Sequence, residues 1–295
     1  MVNNKILIIK PQPILIHKNF QKRYCILERY NSDNLESSEE LFYQVPSGIE
    51  LAEFNDSDNY LIAIVFDAMA EKRDVIVDGS VSRLLLINLK EYIECWVKWL
   101  PDILSIITIK AKVIRDKNPI NENCLCAFSG GVDASFSVWK SHKNQNKVDN
   151  YTIKLCALIH GFDISLDDQK SFDRAFITAE KTLSDLKIRL IPIKTNFRQL
   201  MKVNWEYTHA CGLISSLSVL KKYASTCIVG SSAPYDRLVI PWGSNPITDH
   251  LLSADDFAVV HDGAAYGRIE KSEYISDWEN GVRNLRVCWE GAHKG

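Results

Sequence analysis

The stretch "CLCAFSGGVDASFSVWK", Cys124 to Lys140, decides the fold. It opens on an unbroken apolar run of strand length, passes through Ser129-Gly130-Gly131, and continues as "ASFSVWKSH", a helical pattern. A strand without polar alternation is the kind buried on both faces, as in a parallel sheet. The two glycines allow a tight turn, and Ser129 and Asp133 are residue types that favour helix starts. A helix start of this kind is also an anion site, because its first N–H groups lack partners and the dipole is positive there. The stretch alone leaves both readings open.

Downstream the pattern repeats. "KLCALIHGF" precedes the helical "SFDRAFITAEKTLSDL", "RLIPIKT" precedes "HACGLISSLSVLKKYA", and "TCIVGSS" follows. Strands alternating with helices predict an α/β fold with a doubly wound, mainly parallel sheet. Each apolar run ends in a polar turn: Ser129–Asp133, His160–Asp163, Thr195–Asn196 and Gly230–Ser232. In an open α/β sheet those carboxyl ends form the ligand crevice.

Residues 1–118 read as a small α+β module without a chemical motif, placed before a second unit at 119–295. "KILIIK", "RYCILERY" and "IITIKAKVI" alternate as half-buried strands, "NSDNLESSEE" reads as a polar loop, and "YLIAIVFDAMAEKRD" and "RLLLINLKEYIECWVKWL" have helical spacing. "RDKNPINEN", Arg115 to Asn123, is the linker.

Composition narrows the function classes. The 295 residues are 46% hydrophobic and 24% charged, as in folded globular chains, and the formal charge of -2 argues against a nucleic-acid surface. No apolar stretch is long enough to span a membrane, and the N-terminus carries Lys10 and Pro11 where a signal peptide would be apolar. Eight thinly spread cysteines, mostly among aliphatic residues, fit thiols in a reducing cytoplasm better than a disulfide scaffold.

The glycine turn lacks the Gly-Lys-Ser/Thr ending of a Walker loop and the third glycine of a dinucleotide loop. Ser-Gly-Gly-Val-Asp-Ala-Ser between a strand and a helix resembles the pyrophosphate loop of the N-type ATP pyrophosphatases, whose fold is adenine nucleotide alpha hydrolase-like. That family includes GMP synthetases, NAD synthetases, asparagine synthetases and 7-cyano-7-deazaguanine synthases. The resemblance covers about Cys124 to Gly291. It implies that Ser129, Gly130, Gly131 and Asp133 hold the β- and γ-phosphates of ATP, with Mg²⁺ on Asp133. The family has Ser or Thr directly after this Asp; here Ala134 stands there, and Ser135 is expected to supply the hydroxyl.

Further segments extend the resemblance. "IEKSEYISDW", Ile269 to Trp278, is similar to the family's "T-K-x-E-[IV]" segment, which makes Lys271 the cation that neutralises the leaving pyrophosphate, although Glu270–Glu273 alone would read as a solvated helix start. "LIHGFD" resembles the strand end that reads adenine, giving His160 and Phe162; His160 equally fits a satisfied histidine at a strand end. Gly230 and Ser231 open a substrate-facing segment, Gly230 to Leu252, where Asp236 and Arg237 read as substrate contacts or a surface ion pair. Trp242 and Pro246 read as a pocket wall or as packing.

"LRVCWEG", Leu285 to Gly291, looks most like the 7-cyano-7-deazaguanine synthases, in which such a cysteine joins a Cys-Gly-x-Cys-x-x-Cys cluster to bind zinc. A closed zinc site needs four ligands. Cys288 is followed by seven residues without another cysteine, His293 being the nearest candidate. The expectation is a chain cut before the cluster, with Zn²⁺ bound only if the downstream cysteines exist; the other reading makes Cys288 a packed thiol.

The resemblance implies an ATP-dependent, AMP- and pyrophosphate-forming ligase. It would adenylate a small-molecule carboxylate or amide and use ammonia or another amine, with a homodimer allowed. The alternatives are a non-catalytic ATP/AMP sensor, for which Ala134 argues, and an asparagine-synthetase-like amidating enzyme.

Overall fold

The computed structural model describes residues 4–116, 118–119, 121–148 and 150–286. In chain order these form β1 (Lys5–Ile16), β2 (Phe20–Asn31), β3 (Asn34–Pro46), α1 (Asp58–Glu71), β4 (Asp74–Ser82), α2 (Arg83–Trp99) and β5 (Ile109–Arg115). There follow β6 (Cys124–Ala127), α3 (Val132–Lys143), β7 (Ile153–His160), α4 (Gln169–Leu183), β8 (Arg189–Thr195), α5 (Phe197–Leu200) and α6 (Trp205–Leu217). The last elements are β9 (Thr226–Gly230), β10 (Ala258–Asp262), α7 (Arg268–Tyr274) and α8 (Glu279–Arg283). The ten strands form one sheet in the order β10-β9-β6-β7-β8-β3-β2-β1-β4-β5. Pairing is parallel from β10 to β8 and again from β1 through β4 to β5; only the three contacts linking β8, β3, β2 and β1 are antiparallel. The fold is thus α/β, with a mostly parallel sheet interleaved with helices, compatible with a Rossmann-like arrangement.

Strand alternation divides the core into two. Leu125, Ala157, Ile191, Cys227 and Val229 face one cluster, to which Phe66 of α1, Leu89 of α2 and Ile214 of α6 contribute. Cys126, Cys156, Leu158, Leu190 and Ile228 face the other, built with Val138 of α3, Phe172 and Leu183 of α4, and Trp278. Successive residues of one strand therefore serve opposite cores, which is why these strands read as continuous apolar runs. The described cysteines are all free, and all but Cys95 are buried.

The N-terminal strands departed from expectation in one place. "NSDNLESSEE" is not a loop: after a turn at Asn31–Asn34 it forms the first half of β3, paired along its length to β2. Its polarity is tolerated because β3 meets β8 only at Tyr43 and Gln44, so residues 34–41 keep one solvated edge. Cross-strand ion pairs, Lys22 with Glu40 and Arg29 with Glu39, replace apolar contacts there. Pro11 and Pro13 sit in β1 beyond Ile6–Ile9, the residues that pair with β4, and beside a register irregularity against β2. β4 and β10 completed the sheet without a signal recognised in the sequence.

The sheet crosses the linker through β3 and β8, and side chains fasten the two parts. Asp255 accepts hydrogen bonds from Arg83 N (3.1 Å), Leu84 N (3.3 Å) and Ser82 Oγ (2.8 Å), so a C-terminal carboxylate caps helix α2. Below it lies a closed ion cluster in which Arg115 and Lys221 face Asp56, Asp58 and Asp256. Burial, then the neighbouring Asp56, pushes the Asp58 carboxyl upward, whereas Lys221 and Arg115 hold Asp56 down against its burial.

Candidate active site

Strand β6 ends at Ala127, and the chain turns through Ser129 and Gly130, whose φ of +80° lies in the left-handed region that glycine adopts freely. Gly131 then caps α3 with an extended backbone, and Asp133 occupies the helix's first turn. The turn sits at the carboxyl end of an inner strand flanked by β9 and β7. Here the sequence expectation holds: the helix starts at Val132, beside Asp133.

Two distant segments converge on this turn. Gly230, the last residue of β9, approaches so closely that an added Cβ would lie 3.0 Å from Asp133 O. Lys271 of α7 is buried to 1% exposure, and its Nζ donates to Asp133 Oδ1 (3.0 Å) and to Ser231 O. Arg268 Nη2 donates to the second carboxylate oxygen of Asp133 (3.1 Å). The Phe136 ring lies 5.8 Å from the Lys271 ammonium. Asp133, Gly230, Ser231 and Lys271 are thus one constellation. A buried ammonium needs a counter-charge, and Asp133 supplies it.

A cavity of about 260 Å³ opens beside this group, running from Ser129, Gly131 and Asp133 to Phe162, Trp205 and His209. Ala134 and Asp163 also line it. Arg286 closes one side: its backbone N donates to Gly130 O (2.8 Å), its Nη1 to Ser129 O (3.3 Å), and its side chain borders the cavity. The Arg286 guanidinium and the start of α3 give this end an anion-attracting character, while the Lys271 ammonium lies buried behind it against Asp133.

Other sequence candidates lie elsewhere. His160 does not line the cavity; it stacks on Phe172 of α4 (4.4 Å between centroids), and its Nε2 faces Ser165 O at 2.8 Å. Burial lowers the pKa of its imidazole. Ser135 is buried, its Oγ has no hydrogen-bond partner among the described residues, and it too is absent from the cavity wall, where Ala134 stands instead. The Ser231 hydroxyl turns away to Ala233 O (2.7 Å), leaving only its carbonyl to the site. Asp236 and Arg237 are solvent-exposed, 3.9 Å apart.

Sequence reasoning missed Trp205, His209, Leu213 and Arg286. The first three recur at i, i+4 and i+8 and so share one face of α6, a spacing that was available to be read. The segment from Trp242 to Asp249 packs onto that face. Asp249 fixes it, accepting from Ser244 Oγ (2.7 Å) and Asn245 N (3.0 Å) and meeting His261 Nδ1 at 2.7 Å. Trp242 meets the His209 ring edge-on at 5.3 Å.

Among the described residues no group of three or more His, Cys, Asp or Glu side chains is arranged to hold a metal. Cys288 and His293 lie outside the described residues. For Mg²⁺ held largely by phosphate oxygens and water, one or two carboxylates suffice, so Asp133 on the cavity wall fits that role. No helix of the described residues is long and apolar enough to cross a membrane. No family model matches the chain, nor does any curated protein or solved structure.

Proposed function

We propose that this chain is an Mg-ATP-dependent ligase that adenylates a carboxylate or amide and releases pyrophosphate, similar to the 7-cyano-7-deazaguanine synthases. The observation that carries the reading is the meeting of Lys271 with Asp133 at the start of α3, across 138 residues of sequence. A buried ammonium has little structural reason to sit in a glycine turn; beside a departing pyrophosphate it stabilises charge that grows in the transition state. Ser129, Gly130 and Gly131 would receive the β- and γ-phosphates on backbone N–H groups, with Arg286 as a second cation. Asp133 would hold Mg²⁺, exchanging its contact with Arg268 for the metal. Phe162 would face the nucleoside. The acid's oxygen attacks the α-phosphorus, the bond to the β-phosphate oxygen breaks, and the leaving pyrophosphate takes the electron pair. The sheet then serves as an adenine nucleotide alpha hydrolase-like scaffold in a cytoplasmic enzyme.

A second reading, a nucleotide sensor without turnover, is favoured by Ala134, which stands on the cavity wall where the family has a hydroxyl. One assay separates the two. Pyrophosphate release from Mg-ATP is measured with and without 7-carboxy-7-deazaguanine and ammonium, using Asp133→Asn as the control. Acid-dependent release that vanishes in Asp133→Asn supports the ligase; tight ATP binding without release with any carboxylate supports the sensor.

A further inference from the structure

We infer that His209 is the general base of the amine-transfer step, an assignment that rests on the ligase reading. Among the described residues, four titratable or charged side chains border the cavity: Asp133, Asp163, His209 and Arg286. Asp133 is occupied by Lys271 and Arg268, and a guanidinium does not give up its proton. Asp163 is exposed, so its carboxylate is solvated by bulk water and not held in a fixed position against a bound substrate. The imidazole remains.

Its surroundings hold it ready for that task. His209 Nδ1 lies 3.2 Å from Trp205 O, one turn back along α6, and a carbonyl can only accept. The proton therefore resides on Nδ1, which leaves Nε2 as the basic nitrogen. The ring is fixed by Trp242 on one side and Trp205 on another. Gly243 passes so close that a Cβ there would lie 2.5 Å from Nδ1, and its own N–H donates to Glu206 O (2.8 Å). Burial keeps the ring neutral at physiological pH, outweighing the opposite pull of the Trp205 carbonyl, Asp249 and Glu206. A clamped, neutral imidazole in a cavity that also holds the phosphate turn is the arrangement general-base catalysis needs.

The step balances as follows. Ammonia attacks the carbonyl carbon of the acyl adenylate and the C–N bond forms. The bond from carbon to the phosphate oxygen breaks, and AMP leaves with the electron pair. The proton shed by nitrogen passes to His209 Nε2. Adenylation itself needs no base, because the attacking carboxylate is already ionised.

The test uses the full chain with Mg-ATP and 7-carboxy-7-deazaguanine, and compares ammonium with hydroxylamine, a stronger nucleophile that is neutral at neutral pH and traps the adenylate as a hydroxamate. In His209→Gln, amide formation from ammonium should fall on the order of 10²-fold or more. Hydroxamate formation should stay within about fivefold of the unmodified chain, and the acidic limb of the pH–rate profile for amide formation should disappear once rates are expressed per free ammonia, which removes the titration of ammonium itself. Unchanged amide formation in His209→Gln would overturn the assignment while leaving the ligase reading intact, and equal loss of amide and hydroxamate would do the same. Absence of both products from the unmodified chain would remove the ligase reading and this inference with it.

Discussion

Two charged clusters sit beside this sheet, and they are built to opposite ends. At the carboxyl end of β5, Arg115 and Lys221 meet Asp56, Asp58 and Asp256, and the cavity that borders Asp56, Asp58 and Lys221 is only about 10 Å³, the room of about one water. At the carboxyl end of β6, Lys271 and Arg268 meet Asp133 beside an open cavity of about 260 Å³, with Arg286 on its rim. The first cluster draws its members from both halves of the chain and leaves no room for a ligand. It fastens the halves. The second leaves a guanidinium, backbone N–H groups and a neutral histidine facing empty volume. Charge alone does not mark a site; charge facing a cavity does.

The largest effect is expected in the closed cluster. Lys221→Ala would strand buried carboxylates, and losing one partner of a buried ion pair costs about 3–5 kcal/mol. Urea denaturation should show that loss as a single transition, since the sheet is continuous across both halves. Two separate transitions would show that the halves fold independently. Lys271→Met makes the opposite cut. Pyrophosphate release should drop roughly 10²–10³-fold, as when one transition-state donor is removed, with a much smaller change in ATP affinity. A change in affinity as large as that in rate would make Lys271 an ordinary ground-state contact.

A smaller effect concerns Asp67, which joins the halves by accepting from the backbone N–H groups of Lys202 and Val203. Burial pushes its carboxyl up to about 6. The folded state thus holds this proton more tightly than the unfolded state. The resulting stability is fully present below about pH 4 and is lost as pH rises through about 6. Asp67→Asn should flatten that decline, removing roughly 1–3 kcal/mol of pH dependence in denaturation measured across this window. An unchanged slope would mean that the proton is bound elsewhere. The smallest effect is expected from Ala134→Ser at the cavity wall. One added hydrogen bond to a phosphate oxygen is worth about 0.5–1.5 kcal/mol, so Mg-ATP should bind roughly two- to tenfold more tightly by calorimetry. Weaker binding would mean that the turn is shaped around a different ligand.

How much was legible follows from the same physics. Strands β6 to β9 were readable because both of their faces are buried, so each is a plain apolar run bounded by polar turns. The polar half of β3 was not, because backbone pairing and ion pairs sustain it, and these leave no apolar signature. In the site, the turn and Lys271 were legible as spaced motifs. His209 and Arg286 were not, since a cavity wall is defined by packing between segments distant in sequence. His160 illustrates the limit of strand-end reasoning. It shares its strand face with Cys156 and Leu158, which face the core containing Phe172, so alternation turns its ring onto that side chain and not into the cavity.

On the proposed function, the turn from Ser129 to Asp133 receives the phosphates of a nucleotide. Titration of the isotope-labelled chain with Mg-ATP, followed through backbone amide chemical shifts, tests it directly. The account predicts saturable shifts that are largest at Gly130, Gly131, Val132 and Asp133, with smaller ones at Ser231 and Lys271, and much weaker shifts at the turn when AMP replaces ATP. Saturable binding that leaves those amides unmoved, or no binding at millimolar Mg-ATP, would contradict it.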